Sequence, residues 1–493
     1  MATLILLLPI VPAAVAAIIA VAGWQPATAW LPTVSCLTVT GLGITLAAQV
    51  LDNGPVSTAA GQFRVDAVSA LMVILIGAVG TIASTYSVAY LRTELMAGTT
   101  TPHRARLFGA LMQLTIAAMC VVVISDNLGV LWVAIETTTI ATVLLVGHRR
   151  DRTSVEASWK YLVLGSVGVA TALMGTVLVY FVSRHSGGDA STALNWSSLV
   201  ARAPNLDPGA LRVGMGFVIV GYGTKAGLAP LHSWLPDAYS QAPAPVAALM
   251  AGVLSTMSMY SLLRFKVIAD IALGPNYVRT LLLVAALLSL LTAASLMVTQ
   301  RDYKRLLAYS SVEHMGLIAL AAAIGSPLAM SAALLHMTGN GLAKSVAFST
   351  TGEMLFATGT TRIDGIRGLL HQRPFIAGTF GVSLLALLGL PPFSILASEI
   401  AIIRAGVNGG LAWAVAIALV VMLVIFTAVL VHTLNILAGS AEGTVTAQPP
   451  TEHVTTVTAR VPLVAGLVVA AVIGITIWPI STLLHKAAEV LAR

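Results

Sequence analysis

The stretch Tyr222-Gly-Thr-Lys-Ala-Gly-Leu-Ala-Pro-Leu-His-Ser-Trp-Leu-Pro-Asp-Ala-Tyr-Ser-Gln-Ala-Pro-Ala-Pro-Val-Ala-Ala-Leu249 places Lys225 inside an apolar segment, five residues ahead of Pro230. An ammonium in hydrocarbon costs roughly 2.5–3.5 kcal/mol on insertion scales, so it takes a partner or a water path. A proline nearby frees backbone groups that neighbours or water must satisfy. A charge beside a broken helix at membrane depth is the pattern of an ion or proton site.

The surrounding chain agrees with a membrane setting. Its 493 residues are 57% hydrophobic and only 9% charged, with a mean hydropathy of +0.92. Soluble domains carry about 25% charged residues, so the chain reads as an all-α polytopic membrane protein with the lipid bilayer as solvent. Apolar runs of about 20 residues, with no alternation over about ten, exclude an outer-membrane barrel. The net charge of +7 is dispersed over short loops and gives no nucleic-acid signal. Met1 to Gly23 lacks a basic leading segment and reads as a first spanning helix. Cys36 and Cys120 lie in separate apolar runs, match no zinc or iron–sulfur spacing, and read as buried thiols. No phosphate-binding glycine loop occurs, so cofactors of any redox reaction belong to another chain.

Spans cut at charges, Pro and Gly clusters number about fourteen. They lie near Leu4–Gly23, Thr28–Val50, Asp66–Leu91, Leu107–Ile124, Leu128–Gly147, Ser158–Ser183 and Leu211–Ala229. The others lie near Ala244–Phe265, Val278–Thr299, Leu306–Ile324, Leu328–Phe356, Phe375–Arg404, Leu411–Leu437 and Val461–Leu484. Ala438–Arg460 reads as a flexible surface connector. Loops after odd-numbered helices carry thirteen Lys and Arg against ten on the other side, a bias that puts both termini outside. Helix seven breaks at Pro230 and helix twelve at Pro391-Pro392, each near an ionisable residue, Lys225 and Glu399. Five helices separate the two breaks, an odd offset that orients two repeats oppositely, as in transporter sites built from inverted repeats.

Other ionisable residues fall at depth. Glu136, nine residues past Asn127, stands roughly 13 Å into a core about 30 Å thick. Lys225 stands roughly 20 Å along helix seven. As neighbours these two form either a poised pair that loses a proton on separation or a static ion pair. Lys344 is deep in helix eleven, His336 lies eight residues before it, and Glu313 and His314 lie about ten residues into helix ten. Each is compatible with a satisfied core residue, yet together they read as a proton wire. His314, His336 and His432 show no matched spacing on facing helices for haem. His232, Trp234 and Asp237 follow the first break and fit a half-helix end at the cytoplasmic mouth, where Asp237 is also a candidate cap.

Lys225-Ala-Gly-Leu-Ala-Pro-Leu-His-Ser-Trp-Leu-Pro-Asp-Ala and Ala242-Pro-Ala-Pro-Val-Ala-Ala-Leu resemble the signature of antiporter-like proton-translocating subunits. These occur in NADH–quinone oxidoreductase, membrane-bound hydrogenases and multisubunit sodium/proton antiporters. Arg301-Asp-Tyr-Lys-Arg-Leu-Leu-Ala-Tyr-Ser-Ser and Gly389-Leu-Pro-Pro-Phe extend the resemblance over nearly the whole chain. Within that superfamily, Trp132-Val-Ala-Ile-Glu-Thr-Thr-Thr, Trp159-Lys-Tyr-Leu-Val-Leu-Gly-Ser, Val312-Glu-His-Met-Gly-Leu and Gly341-Leu-Ala-Lys-Ser are most similar to the F component of hydrogenase-4-type complexes.

The resemblance implies fourteen helices with two inverted five-helix repeats and broken helices seven and twelve. Residues 1–104 would hold helices one to three, 105–272 and 273–437 the repeats, and 438–493 the connector and last helix. It implies proton-translocation roles for Glu136, Lys225, His232, Glu313, His314, His336, Lys344 and Glu399. The expected function is proton transport coupled to electron transfer in partner membrane subunits and a peripheral redox module of the bacterial plasma membrane. Iron–sulfur clusters and nickel–iron or flavin groups would be held by those partners, with no cofactor, metal or catalytic centre in this chain. A redox-independent sodium/proton exchanger and a non-pumping scaffold are the alternatives. Ala251, Thr256 and Asn340 stand where relatives have basic residues, so the central wire is thinner than usual.

Overall fold

The computed structural model describes residues 2–58, 61–439 and 455–492. Helices α1 (Ala2–Ala22) and α2 (Leu31–Asn53) lead through a short antiparallel pair, β1 (Val56–Ser57) and β2 (Arg64–Val65), into α3 (Ala67–Met96). α4 (Pro102–Ile124), α5 (Leu128–Val146), α6 (Arg152–His185) and the short α7 (Trp196–Arg202) follow. α8 (Pro208–Ala226) stops at the first break, and α9 (Trp234–Gln241) lies beyond it. α10 (Ala244–Leu249) and α11 (Ser255–Leu273) form one continuous helix through a π-helical turn at Met250–Leu254. Next come α12 (Asn276–Val298), α13 (Tyr303–Ile324), α14 (Pro327–Thr358) and a single turn, α15 (Leu369–Gln372). α16 (Pro374–Leu387) and α17 (Ser394–Asn408) are halves of the second broken helix, followed by α18 (Ala412–Ala438), α19 (Val457–Ile475) and α20 (Trp478–Leu491).

Among the described residues, 11 helices are long and apolar enough to cross a membrane. The expected helices seven, eleven and twelve correspond to α8, α14 and the α16–α17 pair. These carry the lysines, the polar stripe and the second break, which lower their hydropathy or shorten them. Residues 440–454 of the expected connector lie outside the described residues. The long segment before helix seven is partly helical, as α7.

Local chemistry sets the helix ends. Asp66, Asn127, Asp151, Asp207, Asp302 and Ser326 each accept hydrogen bonds from backbone N–H groups in the first turn of the following helix. Such side chains satisfy donors that the first helical turn leaves unpaired. Loops meet on two opposite faces. On one, Trp196 N donates to Asp126 O at 2.6 Å and Leu128 N to Leu194 O at 2.9 Å. On the other, Tyr303 N donates to Thr361 O at 3.1 Å and Ile363 N to Arg301 O at 2.9 Å. These are called the Asn127 face and the Arg301 face below.

The core lies where α3, α10–α11, α13 and α14 pack, and α10–α11 is buried at every residue from Ala244 to Ala269. α10–α11 and α14 touch backbone to backbone: a Cβ on Gly252 would stand 2.9 Å from Gly341 O, and one on Gly341 2.7 Å from Gly252 O. Small residues permit this approach, which supplies packing where the bilayer offers no hydrophobic drive.

The expected last span, Val461–Leu484, is not one helix. α19 ends at Ile475, and α20 turns away and packs on α3 and α14. Ile480, Leu483, Leu484, Ala487, Ala488 and Leu491 face inward on α20, whereas Thr482, His485, Lys486 and Glu489 face outward. Lys486 Nζ donates to Leu51 O at 2.5 Å. A helix with one polar face does not suit the hydrocarbon core and lies along the surface instead.

Candidate functional site

At the first break, several backbone groups freed by the interruption find partners. α8 ends three residues before the expected Ala229 because Gly227 turns left-handed, at φ 88°, a conformation that glycine adopts without steric cost. Leu228 N then donates to Gly223 O at 2.8 Å, and Ala229 N to the Ser289 hydroxyl at 2.9 Å. The Trp234 indole closes the break from beyond, donating to Thr224 O at 2.8 Å. The second break begins in the same manner, with Gly389 at φ 65°. A side chain on Gly389 would collide with the Glu399 carboxylate, so that acid folds back onto its own break.

Lys225, in the last turn of α8, is 1% exposed. Its Nζ donates to Thr139 Oγ1 at 2.9 Å and to the Tyr161 hydroxyl at 2.6 Å. The Thr142 hydroxyl is committed to Thr138 O at 2.6 Å, so Tyr161 donates to Thr142 at 2.8 Å and keeps a lone pair for the lysine. Tyr161 also stacks on Trp234 with centroids 4.6 Å apart, and Lys225 Nζ lies 4.5 Å from the Tyr161 ring centroid. The lysine thus sits in a cage of hydroxyls and aromatic faces.

Among the described residues Lys225 and Glu136 make no salt-bridge contact, and the hydroxyls of Thr139 and Tyr161 hold the ammonium directly. Glu136 lies three residues before Thr139 on α5 and accepts from Ser166 at 3.2 Å, while its Oε2 is buried without a hydrogen-bond partner. Thr139, one turn along α5 from the acid, donates to Ile135 O at 3.1 Å and accepts from the lysine. His232 is half-buried within the break, with Nδ1 unpartnered, and makes no contact with the lysine cage among the described hydrogen bonds. Asp237 is not a cap. It accepts from Lys160 at 3.1 Å and from Arg305 at 3.0 Å, so it ties α6 to α13.

The other expected residues cluster around α13, α14 and α17. Lys344 is fully buried and donates to Leu307 O at 2.7 Å. Leu307, whose carbonyl the lysine binds, lines one cavity together with Glu313. His314 and His336, both expected in the wire, face each other across α13 and α14. His314 Nδ1 stands 3.0 Å from His336 Nε2, and His336 Nδ1 stands 2.9 Å from Ser398 Oγ. The Ser398 proton goes to Ile395 O at 2.7 Å, so His336 Nδ1–H must donate to Ser398. Its Nε2 then accepts from His314 Nδ1–H. His314 Nε2 remains as a buried, unpartnered acceptor. Ser398 adjoins Glu399, which lines a cavity with Leu317 and Leu320.

Between the two lysines, Tyr239 bonds Ser255 at 2.7 Å and donates to Met250 O at 3.1 Å, a carbonyl on the π-helical turn. Beyond Ser255, the side chains of Thr256, Ser258 and Asn340 are buried without hydrogen-bond partners. Buried polar groups of this kind are normally satisfied, commonly by internal water. Thr139, Tyr161, Ser398 and Tyr239 were not singled out from the sequence as participants. Hydroxyls in apolar helices are common, and only the fold shows which of them meet a lysine or a histidine. Among the described residues, no three His, Cys, Asp or Glu side chains gather as a metal site would require.

Two broken helices, each bearing an ionisable group, within a multi-span helical bundle define an ion-translocation fold. A family model described as "NADH:quinone oxidoreductase/Mrp antiporter, TM" matches residues 125–427, and the chain belongs to that family. It is 38% identical over 339 residues to a hydrogenase-4 component F homolog of Methylacidiphilum infernorum (isolate V4), over 68% of this chain and 71% of that one. It is 32% identical over 333 residues to the N subunit of the NADH-quinone oxidoreductase of Desulforudis audaxviator (strain MP104C), over 67% of this chain and 64% of that one. A chain in the structure of the membrane-bound sulfane sulfur reductase, an archaeal respiratory membrane complex, shares the fold. The TM-score is 0.86 at 24% identity, covering 100% of this chain and 98% of that chain.

Proposed function

We propose that this chain is the proton-translocating, antiporter-like membrane subunit of a multisubunit redox complex of the hydrogenase-4 or NADH–quinone oxidoreductase kind. Partner subunits hold the iron–sulfur and nickel–iron or flavin groups. It spans the bacterial plasma membrane fourteen times, with both termini outside and the Arg301 face in the cytoplasm. Residues 105–272 and 273–437 form two inverted repeats, residues 1–104 precede them, and 438–493 close the chain. The observation that carries the reading is the series of buried acids, bases and hydroxyls from Glu136 to Glu399, with unpartnered Thr256, Ser258 and Asn340 in its central gap.

In this reading, a rearrangement in the partners separates Glu136 from the Lys225 cage, and Lys225 gives up a proton. The proton crosses the central gap along Tyr239, Ser255, Thr256 and Asn340 with water between them. Lys344 and Glu313 receive it. A proton taken at His314 Nε2 releases His314 Nδ1–H to His336, which releases its own Nδ1–H toward Ser398 and Glu399. The orientation of both imidazoles supports this direction of transfer. His232 serves the mouth of the first half rather than the wire itself.

Lys225→Ala tests the assignment. Proton flux should disappear while the complex still assembles; an unchanged proton-to-electron stoichiometry would sink it. The family also includes Mrp antiporters, so sodium exchange is the second reading. Sodium-dependent rescue of an antiporter-deficient cell would favour that exchange over proton pumping.

A further inference from the structure

A second set of buried polar groups runs inward from the Arg301 face along α3, apart from the line just described. Arg149, with its side chain 29% exposed, reaches solvent. It donates to the Tyr90 hydroxyl at 3.0 Å, and Tyr90 donates to Glu94 at 2.7 Å. His148 stands 3.8 Å from Glu94 and contacts Thr100 at 3.3 Å. Lys304, only 2% exposed, is buried at the same end. One turn deeper on α3, the Tyr86 ring lies 6.0 Å from that of Tyr90, and its hydroxyl donates to Glu353 of α14 at 3.2 Å.

Glu353 is 2% exposed. Gly352 beside it makes the contact possible, because a Cβ there would collide with the Tyr86 hydroxyl and stand 2.7 Å from the Ala244 Cβ. One turn back toward Lys344, on the face of Glu353, the Ser349 hydroxyl is fully buried without a hydrogen-bond partner. Ser345 follows one turn further, next to Lys344 in the chain, and donates to Leu342 O at 2.8 Å.

We propose that Glu94, Tyr90, Tyr86 and Glu353 form a proton inlet from the Arg301 face to the Lys344 half of the line, entered beside Arg149 and continued past Ser349. Each member donates or accepts a proton, as a relay requires. Each hop moves one proton and no electrons: Tyr86 passes its hydroxyl proton to the Glu353 oxygen that accepts its hydrogen bond and is reprotonated from the Tyr90 side. Such an inlet lets the second half load without drawing its proton through Lys225. The inference rests on the proton-translocation reading.

The test uses the full chain in proteoliposomes with entrapped pyranine and a valinomycin-set potassium potential. Glu353→Gln and Tyr86→Phe should each lower proton flux about tenfold or more, in keeping with the weight of a positioned proton carrier. Glu353→Asp should restore much of it, with all three variants melting near the wild-type temperature. If Lys225→Ala abolishes flux while Glu353→Gln and Tyr86→Phe conduct normally, the inlet is overturned and the translocation reading stands. If Lys225→Ala conducts normally, the translocation reading falls and the inlet with it. If Glu353→Gln does not fold, Tyr86→Phe decides alone. Should Glu353→Asp lose flux and melting temperature together with Glu353→Gln, the site is structural and the inlet is overturned.

Discussion

Lys225 keeps its place at depth because two hydroxyl acceptors and two aromatic faces replace the water it lost. Tyr161→Phe removes one acceptor and leaves the stacking on Trp234 intact. A hydrogen bond to a charged group contributes about 1.5–3 kcal/mol. The variant should therefore melt lower, with proton flux reduced rather than abolished, as thermal unfolding in detergent and vesicle flux would show. Asp66, just outside α3 on the Asn127 face, presents a different case. Burial works to raise the proton affinity of its carboxyl. The Arg264 guanidinium, bound through two contacts of 2.6 and 2.7 Å, outweighs that and holds Asp66 below the usual carboxylate range. A group with a depressed folded value contributes its full stability above the unfolded value, about 3.9, and loses it as pH falls through the folded one. Melting temperature should therefore drop as pH falls below about 4. In Asp66→Asn that part of the acid dependence should vanish, at a cost of about 3–5 kcal/mol for the orphaned Arg264.

At the scale of elements, the crossing of α10–α11 with α14 fixes the centre of the molecule. Gly252 and Gly341 meet there through their backbones, and the π-helical turn lies at the same level. Gly341→Val should strain this crossing by about 1–3 kcal/mol, read as a lower melting temperature. An unchanged temperature would mean that the two helices are free to separate. The breaks were legible because proline cannot continue a helix, and the relevant prolines stand beside ionisable residues. The exact ends were not legible, because Gly227 and the Trp234 indole decide them through contacts that the local sequence does not state. The same holds for the expected span Val461–Leu484: its hydropathy suits a membrane, but the stretch past Ile475 has its apolar residues on one face only and a surface on α3 and α14 to receive them.

Across the whole molecule, five spans separate the segment carrying Ser191 from the one carrying His371, in the fourteen-span reading. Both residues are exposed, whereas the two native cysteines are buried, which leaves a quiet background for thiol labelling. In whole cells, Ser191→Cys should react with a membrane-impermeant maleimide. His371→Cys should react only after the membrane is opened. Labelling of both from outside would overturn the proposed orientation. The sequence by itself determined the membrane class, the two breaks and the set of ionisable residues at depth, because hydropathy, proline and buried charge act through local transfer energies. Only the tertiary structure decided how those residues are used. Lys225 takes its direct acceptors from Thr139 and Tyr161, on two other helices. His314 and His336, on different helices, come within hydrogen-bond distance of each other. Glu353 and Tyr86, more than two hundred residues apart, meet across α14 and α3. Hydrogen bonding depends on ångström-scale approach between helices distant in sequence, which only packing sets. The lysine of the opening stretch is thus explained by its sequence as costly, and by its fold as held.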